Sequence, residues 1–165
     1  MKSKFREVDS SILFNQPNIR FYEKTIPAQD FSLPYLNQNK TLRLSERLSR
    51  IVLLCFWKEA LVNSETAICL LDSFQQKDHF GDIDVIAINC DEFKPDFINF
   101  YDKLTKIDLL WDDKSQVAQM YKINQYPSTT IIDQQGLIVD EKTGGPLNDW
   151  ARLTRKLQDL QKHEV

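Results

Sequence analysis

The sequence predicts an α/β domain, a central sheet covered by helices on both faces. Three observations predict it. Ile51-Val52-Leu53-Leu54-Cys55-Phe56-Trp57 and Val85-Ile86-Ala87-Ile88 lack polar alternation, as strands buried on both faces do. Between them Leu61, Ala67, Ile68, Leu71 and Phe74 recur at i, i+3, i+4 spacing, the mark of an amphipathic helix running to about Lys77. The chain then closes with two strands and a helix, so the order is βαβ, further helices, then ββα.

Residues 1–18 are polar and irregular, and read as a loosely held arm. Residues 19–165 read as one domain, a length that suits a single core. From Ile26 to Leu36 apolar positions alternate around Pro27 and Pro34, which predicts an edge hairpin. Thr41 to Ser45 continues it, with Ser45 the expected cap of a short turn from Glu46 to Leu48. Beyond the second buried strand, Pro95 opens a helix with Phe97, Phe100, Tyr101 and Leu104 on one face. Asp112 or Asp113 caps another helix, carrying Val117, Ala118 and Tyr121. Ser128 to Asp133 reads as a strand, Gln134-Gln135-Gly136 as a turn and Leu137 to Val139 as the returning strand. After Gly144-Gly145-Pro146, Asn148 caps a last helix with Trp150, Leu153, Leu157 and Leu160. Trp111 and Trp150 fall on apolar spacing and are expected in the core.

Composition removes several function classes. The 165 residues are 42% hydrophobic and 27% charged, with a formal net charge of -3, so no basic stripe offers itself to nucleic acid or an anionic membrane. No apolar run approaches the roughly 18 residues that span a bilayer. The start, MKSKFREVDSSILFNQPN, lacks the apolar stretch of a secretory signal. The expectation is therefore a cytoplasmic protein, or a periplasmic or extracytoplasmic one whose export signal was removed. Two histidines, His79 and His163, make a zinc site unexpected, and no cofactor motif is present. The three cysteines, Cys55, Cys69 and Cys90, form no C-x-x-C pair.

Four segments resemble the thioredoxin superfamily, specifically the redoxin branch with TlpA- and ResA-like thiol-disulfide proteins. IPAQDFSLPYL is similar to the family's I-P-A-P-D-F-x-L hairpin, and IVLLCFW to its V-L-L-N-F-W strand. Tyr121 to Asp133, YKINQYPSTTIID, is similar to Y-x-V-x-x-x-P-T-T-F-L-I-D, and Gln135-Gly136 matches the turn after it. The resemblance covers about residues 26–160. It implies a three-layer thioredoxin-like fold with a mixed sheet and an N-terminal hairpin extension. It also implies a cis bond between Tyr126 and Pro127; without it, a trans proline opening a strand is the default.

The family places two cysteines at the start of the first helix, where the helix N-terminus lowers a thiol's pKa and a second thiol one turn on resolves the mixed disulfide. Carried over residue by residue, Phe56 and Trp57 match, Leu61 stands at the first cysteine and Ser64 at the second. Neither carries a thiol, so the expected catalytic set is empty. Cys55 and Cys90 remain as thiols that could approach each other from adjacent strands, and Cys69 lies two turns into the helix. The bland reading of all three is packing.

Two uses of the altered tip stay open. Leu61 and Val62 could form an exposed patch with Trp57, Tyr126 and Pro127 that makes the domain a protein- or peptide-binding or chaperone-like module, since the family's cis-proline loop holds an extended peptide through backbone hydrogen bonds. They could instead fold inward over the sheet. The alternatives in other classes are a thiol-disulfide oxidoreductase using its remaining cysteines, and a structural subunit of a complex.

Overall fold

The computed structural model describes residues 26–61, 64–76, 80, 82–95, 102–104, 106–144 and 150–162, without the side chain of Trp150. Its centre is β4 (Ile51–Trp57), in which all seven residues are buried. Continuous burial requires protein on both sides, and the strand's alternation supplies two sets of partners. Ile51, Leu53, Cys55 and Trp57 enter one core with Ile68, Leu71 and Phe74 of α1 (Ser64–Gln75) and Leu153, Leu157 and Leu160 of the last helix (Trp150–Gln161). Val52, Leu54 and Phe56 enter the opposite core with Phe31, Leu33, Leu42, Val117 and Tyr121. At about 1.5–3 kcal/mol for each large apolar side chain removed from water, this two-sided strand anchors the domain.

The six-stranded sheet is mixed. β4 runs parallel to β5 (Ile83–Asn89), with Cys55 opposite Ala87 and Trp57 opposite Asn89, and β5 runs parallel to β6 (Asp108–Trp111). On its other side β4 pairs antiparallel with β7 (Ser128–Ile132), and β7 with β8 (Leu137–Lys142). β1 (Ile26–Pro27) closes that end, antiparallel to β8. A separate ribbon pairs β2 (Ser32–Pro34) with β3 (Thr41–Arg43). The thioredoxin-like α/β architecture expected from sequence is the one observed.

Several local expectations need correction. Ile26–Pro27 joins the main sheet rather than the hairpin. The returning strand runs to Lys142, three residues beyond Val139. Ser45 sits inside the 3-10 turn Leu44–Glu46 instead of capping it, its backbone N–H donating to Asp30 at 2.9 Å. The first helix begins at Ser64, so Leu61 precedes it. Trp111 is half-buried, and its indole N–H donates to the Asp91 carbonyl at 2.9 Å. The stretch expected to be helical after Pro95, and the Asn148 cap, lie largely or wholly outside the described residues, as do residues 1–18 and His79.

The short helix α2 (Gln116–Met120) follows Ser115, which is left-handed at φ 51°. The capping carboxylate is that of Asp112, three residues before Ser115, which accepts from the N–H groups of Gln116 and Ala118, both at 2.9 Å. Asp112→Ala leaves those donors unpartnered, and we expect a loss of about 1–2 kcal/mol, read from the urea midpoint. At the β7–β8 turn Asp133 accepts from the N–H groups of Gln135 and Leu137. The turn passes through Gly136 at φ 77°, a conformation that favours glycine.

Candidate functional site

The carboxyl ends of β4 and β5 and the start of α1 meet at one end of the sheet. β4 stops at Trp57, whose carbonyl accepts from Cys90 N–H at 2.9 Å. The chain then turns through Lys58 to Leu61, and Ser64 N–H donates to the Leu61 carbonyl at 3.2 Å as α1 begins. Leu61 is 42% exposed, whereas Ser64 is wholly buried. The Ser64 Oγ has no hydrogen-bond partner among the described residues. Asp91 braces the turn from below, accepting from Glu59 N–H at 2.8 Å and from the Asn89 side-chain amide at 2.7 Å.

The loop before β7 faces this turn. The Tyr126–Pro127 peptide is cis. Tyr126 is half-buried and Pro127 buried. The Lys58 ammonium lies 5.1 Å from the Tyr126 ring centroid, a cation–π distance. Ser128 at the start of β7 hydroxyl-bonds the Gln125 carbonyl and accepts from Gly144 N–H at 3.1 Å, tying this loop to the end of β8.

Of the residues expected at a binding patch, Leu61 and Tyr126 are accessible. Trp57 is not: its indole is wholly buried in the core beneath α1. The alternation of β4 explains this, because Trp57 shares a face with Leu53 and Cys55. Pro127 is likewise covered, and Val62 lies outside the described residues.

The thiols do not come together either. Cys55 is paired in register with Ala87, and Cys90 lies three residues further along, on the opposite face of the sheet. One strand spacing and three residues of rise separate their Cα atoms by about 11 Å, beyond the roughly 7 Å limit of a disulfide. All three cysteines are free. Burial pushes the Cys55 thiol up to about 12. Burial also pushes Cys90 up to about 12, aided by the charge of Asp112 and opposed by the neighbouring Tyr126 hydroxyl and the Lys58 ammonium. Tyr126 is pushed up to about 12 as well, first by burial and then by Cys90. Cys69, half-buried on α1, is raised by burial, with Glu65 and Asp72 adding to it.

With pKa values about 12, Cys55 and Cys90 hold roughly one part in 10⁴ as thiolate at pH 8. We expect native protein to leave both unmodified by iodoacetamide over the period in which the denatured chain is fully alkylated, with Cys69 the first to react; mass mapping of the labelled peptides checks this. The same shifts bear on stability. The folded state keeps protons on these thiols that the unfolded chain, near 9, has released, so their contribution is complete below pH 9 and lost progressively between 9 and 12.

The fold is that of a thioredoxin-like protein, with Leu61 and Ser64 at the turn into α1. Within that class the chain belongs to the AhpC/TSA family, which matches residues 25–141. Among solved structures, a Chlorobium tepidum protein assigned as thiol:disulfide interchange protein DsbE is similar at a TM-score of 0.74 and 22% identity, over 83% of this chain and 96% of that one. The exposed lipoprotein thioredoxin Etrx1 of Streptococcus pneumoniae is similar at 0.61 and 26%, over 80% of this chain and 100% of that one. A thiol-disulfide oxidoreductase of Bacteroides fragilis is similar at 0.63 and 24%, over 82% and 99%. No curated protein matches the chain. No described helix is long and apolar enough to cross a membrane, and no described cluster of side chains is suited to hold a metal ion.

Proposed function

We propose that this chain is a redox-silent thioredoxin-fold domain that binds an extended protein segment at the end of the sheet bearing Leu61 and Tyr126, with Val62 contributing. One observation carries the reading. The residue presented to solvent just before α1, where a dithiol enzyme needs its nucleophile, is an exposed leucine. It stands near a half-buried tyrosine under a lysine ammonium, a mixture of apolar surface and cation that suits a peptide bearing an apolar side chain and a carboxylate. The oxidoreductase alternative has no comparable support, because the three thiols are separate from this end or buried with raised pKa values.

Reduction of insulin by dithiothreitol tests the silent part. The protein is expected to match the uncatalysed rate, and acceleration that vanishes in a variant lacking all three cysteines overturns it. Binding is tested by fluorescence polarisation against a library of labelled extended peptides. A peptide selected by the wild type is expected to lose at least about tenfold in affinity with Leu61→Asp or Tyr126→Ala; equal affinity in both variants removes this surface from consideration.

A further inference from the structure

A second concavity lies between the β2–β3 ribbon and the edge strand β6, with Trp111 at its wall two strands across from Trp57. Its volume is about 310 Å³, and Tyr35, Gln38, Asn39, Lys40, Lys94 and Trp111 form most of its wall. That size falls in the range of small-molecule sites.

The charge of this wall is unusual for the chain. The protein carries a net charge of -3, yet the lining holds two lysines and no carboxylate. Each ammonium rests against an aromatic ring, Lys40 at 4.1 Å from the Tyr35 centroid and Lys94 at 5.5 Å from that of Trp111. Asp108 and Asp91, which hold the two rings, are themselves engaged elsewhere. Asp108 accepts from the Tyr35 hydroxyl at 2.7 Å and pairs with Arg47 at 3.3 Å. Asp91 is held by Glu59 and Asn89 beneath the Leu61 turn. Neither lysine forms an ion pair among the described residues. The rings are also fixed: the Tyr35 hydroxyl is bonded to Asp108 and the Trp111 indole N–H to the Asp91 carbonyl. The two cations are therefore stationed at one concavity on rigid aromatic supports, with side-chain amides from Gln38 and Asn39 beside them.

We propose that this cleft binds a small phosphate-class anion, the two ammonium groups taking its charge and the amides of Gln38 and Asn39 its remaining oxygens. A multivalent oxyanion satisfies two point-charge donors at once, which a single carboxylate does less well. The volume admits a diphosphate or a small phosphate monoester.

Isothermal titration with inorganic pyrophosphate tests the assignment, run at low ionic strength beside a sodium chloride control matched in ionic strength. The wild type is expected to bind saturably and to weaken as salt is added. Lys40→Gln and Lys94→Gln are each expected to lower the affinity about fivefold or more, and the double variant to abolish binding below about 10 mM. Circular dichroism confirms that these surface variants stay folded. Absence of saturable binding in the wild type, or equal binding by the double variant, overturns the proposal. Saturable binding of a tetraglutamate peptide with none of pyrophosphate overturns it too, and makes the cleft a seat for acidic side chains. Neither lysine is among the residues assigned to the peptide-binding surface, and pyrophosphate affinity unchanged by Leu61→Asp and Tyr126→Ala is the expected sign that the two sites are separate.

Discussion

A Leu61→Cys/Ser64→Cys variant is expected to form a disulfide under mild oxidation and to reduce insulin at least about tenfold faster than the wild-type chain. The geometry for this is already present. The hydrogen bond from Ser64 N–H to the Leu61 carbonyl, 3.2 Å long, brings residues 61 and 64 together. Positions three apart in such a turn have Cβ atoms about 5–6 Å apart, close enough for a small adjustment to bring them into bonding distance. Their environments differ in the way exchange chemistry needs. Residue 61 meets solvent, where a thiolate can attack a disulfide, and residue 64 is buried at the first position of α1, where it can resolve the mixed disulfide. The helix N-terminus favours negative charge at both. Thiol titration after exposure to oxidised glutathione reads the bond directly. Five free thiols per chain after that treatment, three native and two introduced, would show that the introduced pair does not close and that Leu61 and Ser64 do not occupy the family's cysteine positions.

Trp57→Ala is expected to cost about 3–5 kcal/mol, the range for removing a large aromatic from a packed core. For a domain of this length that lowers the melting temperature by about 10 °C. Leu61→Ala, four residues later and 42% exposed, is expected to stay within about 0.5 kcal/mol of wild type. The pair separates two roles that adjacent positions could otherwise share. Thermal melts of both variants, followed by circular dichroism, decide the matter; a Trp57→Ala melt within 3 °C of wild type, or so, would mean that the indole is not a core element.

The contrast between Trp57 and Leu61 also shows what could be read from residues alone. The strand Ile51–Trp57 was legible because seven apolar residues without alternation have few other uses, and α1 because its apolar spacing is helical. The order of elements and the YPSTTIID segment carried the fold. The site was harder to read, because placing a side chain requires the phase of the strand. An uninterrupted apolar run hides that phase: Cys55 and Trp57 could face either side until the partner strands are known. Without that phase a Cys55–Cys90 approach stays open, and the parallel register with Cys55 opposite Ala87 closes it. The phosphate-class cleft left no local trace in the chain. Lys40 and Lys94 are 54 positions apart, and only the packing of the β2–β3 ribbon on β6 brings them together.

The two edges of the sheet, β1 and β6, are covered in different ways. At one, β1 is two residues long and contains Pro27, which has no N–H to offer. At the other, Leu36 N–H donates to the Leu109 carbonyl at 2.8 Å, and Tyr35 bridges to Leu110. The β6 margin is thus covered by the chain's own backbone, whereas β1 covers only Leu137 and Ile138 of the six-residue β8. Among the described residues Val139–Lys142 of β8 have no strand partner on their outer side, so strand-paired association under crowding is expected to start there rather than along β6.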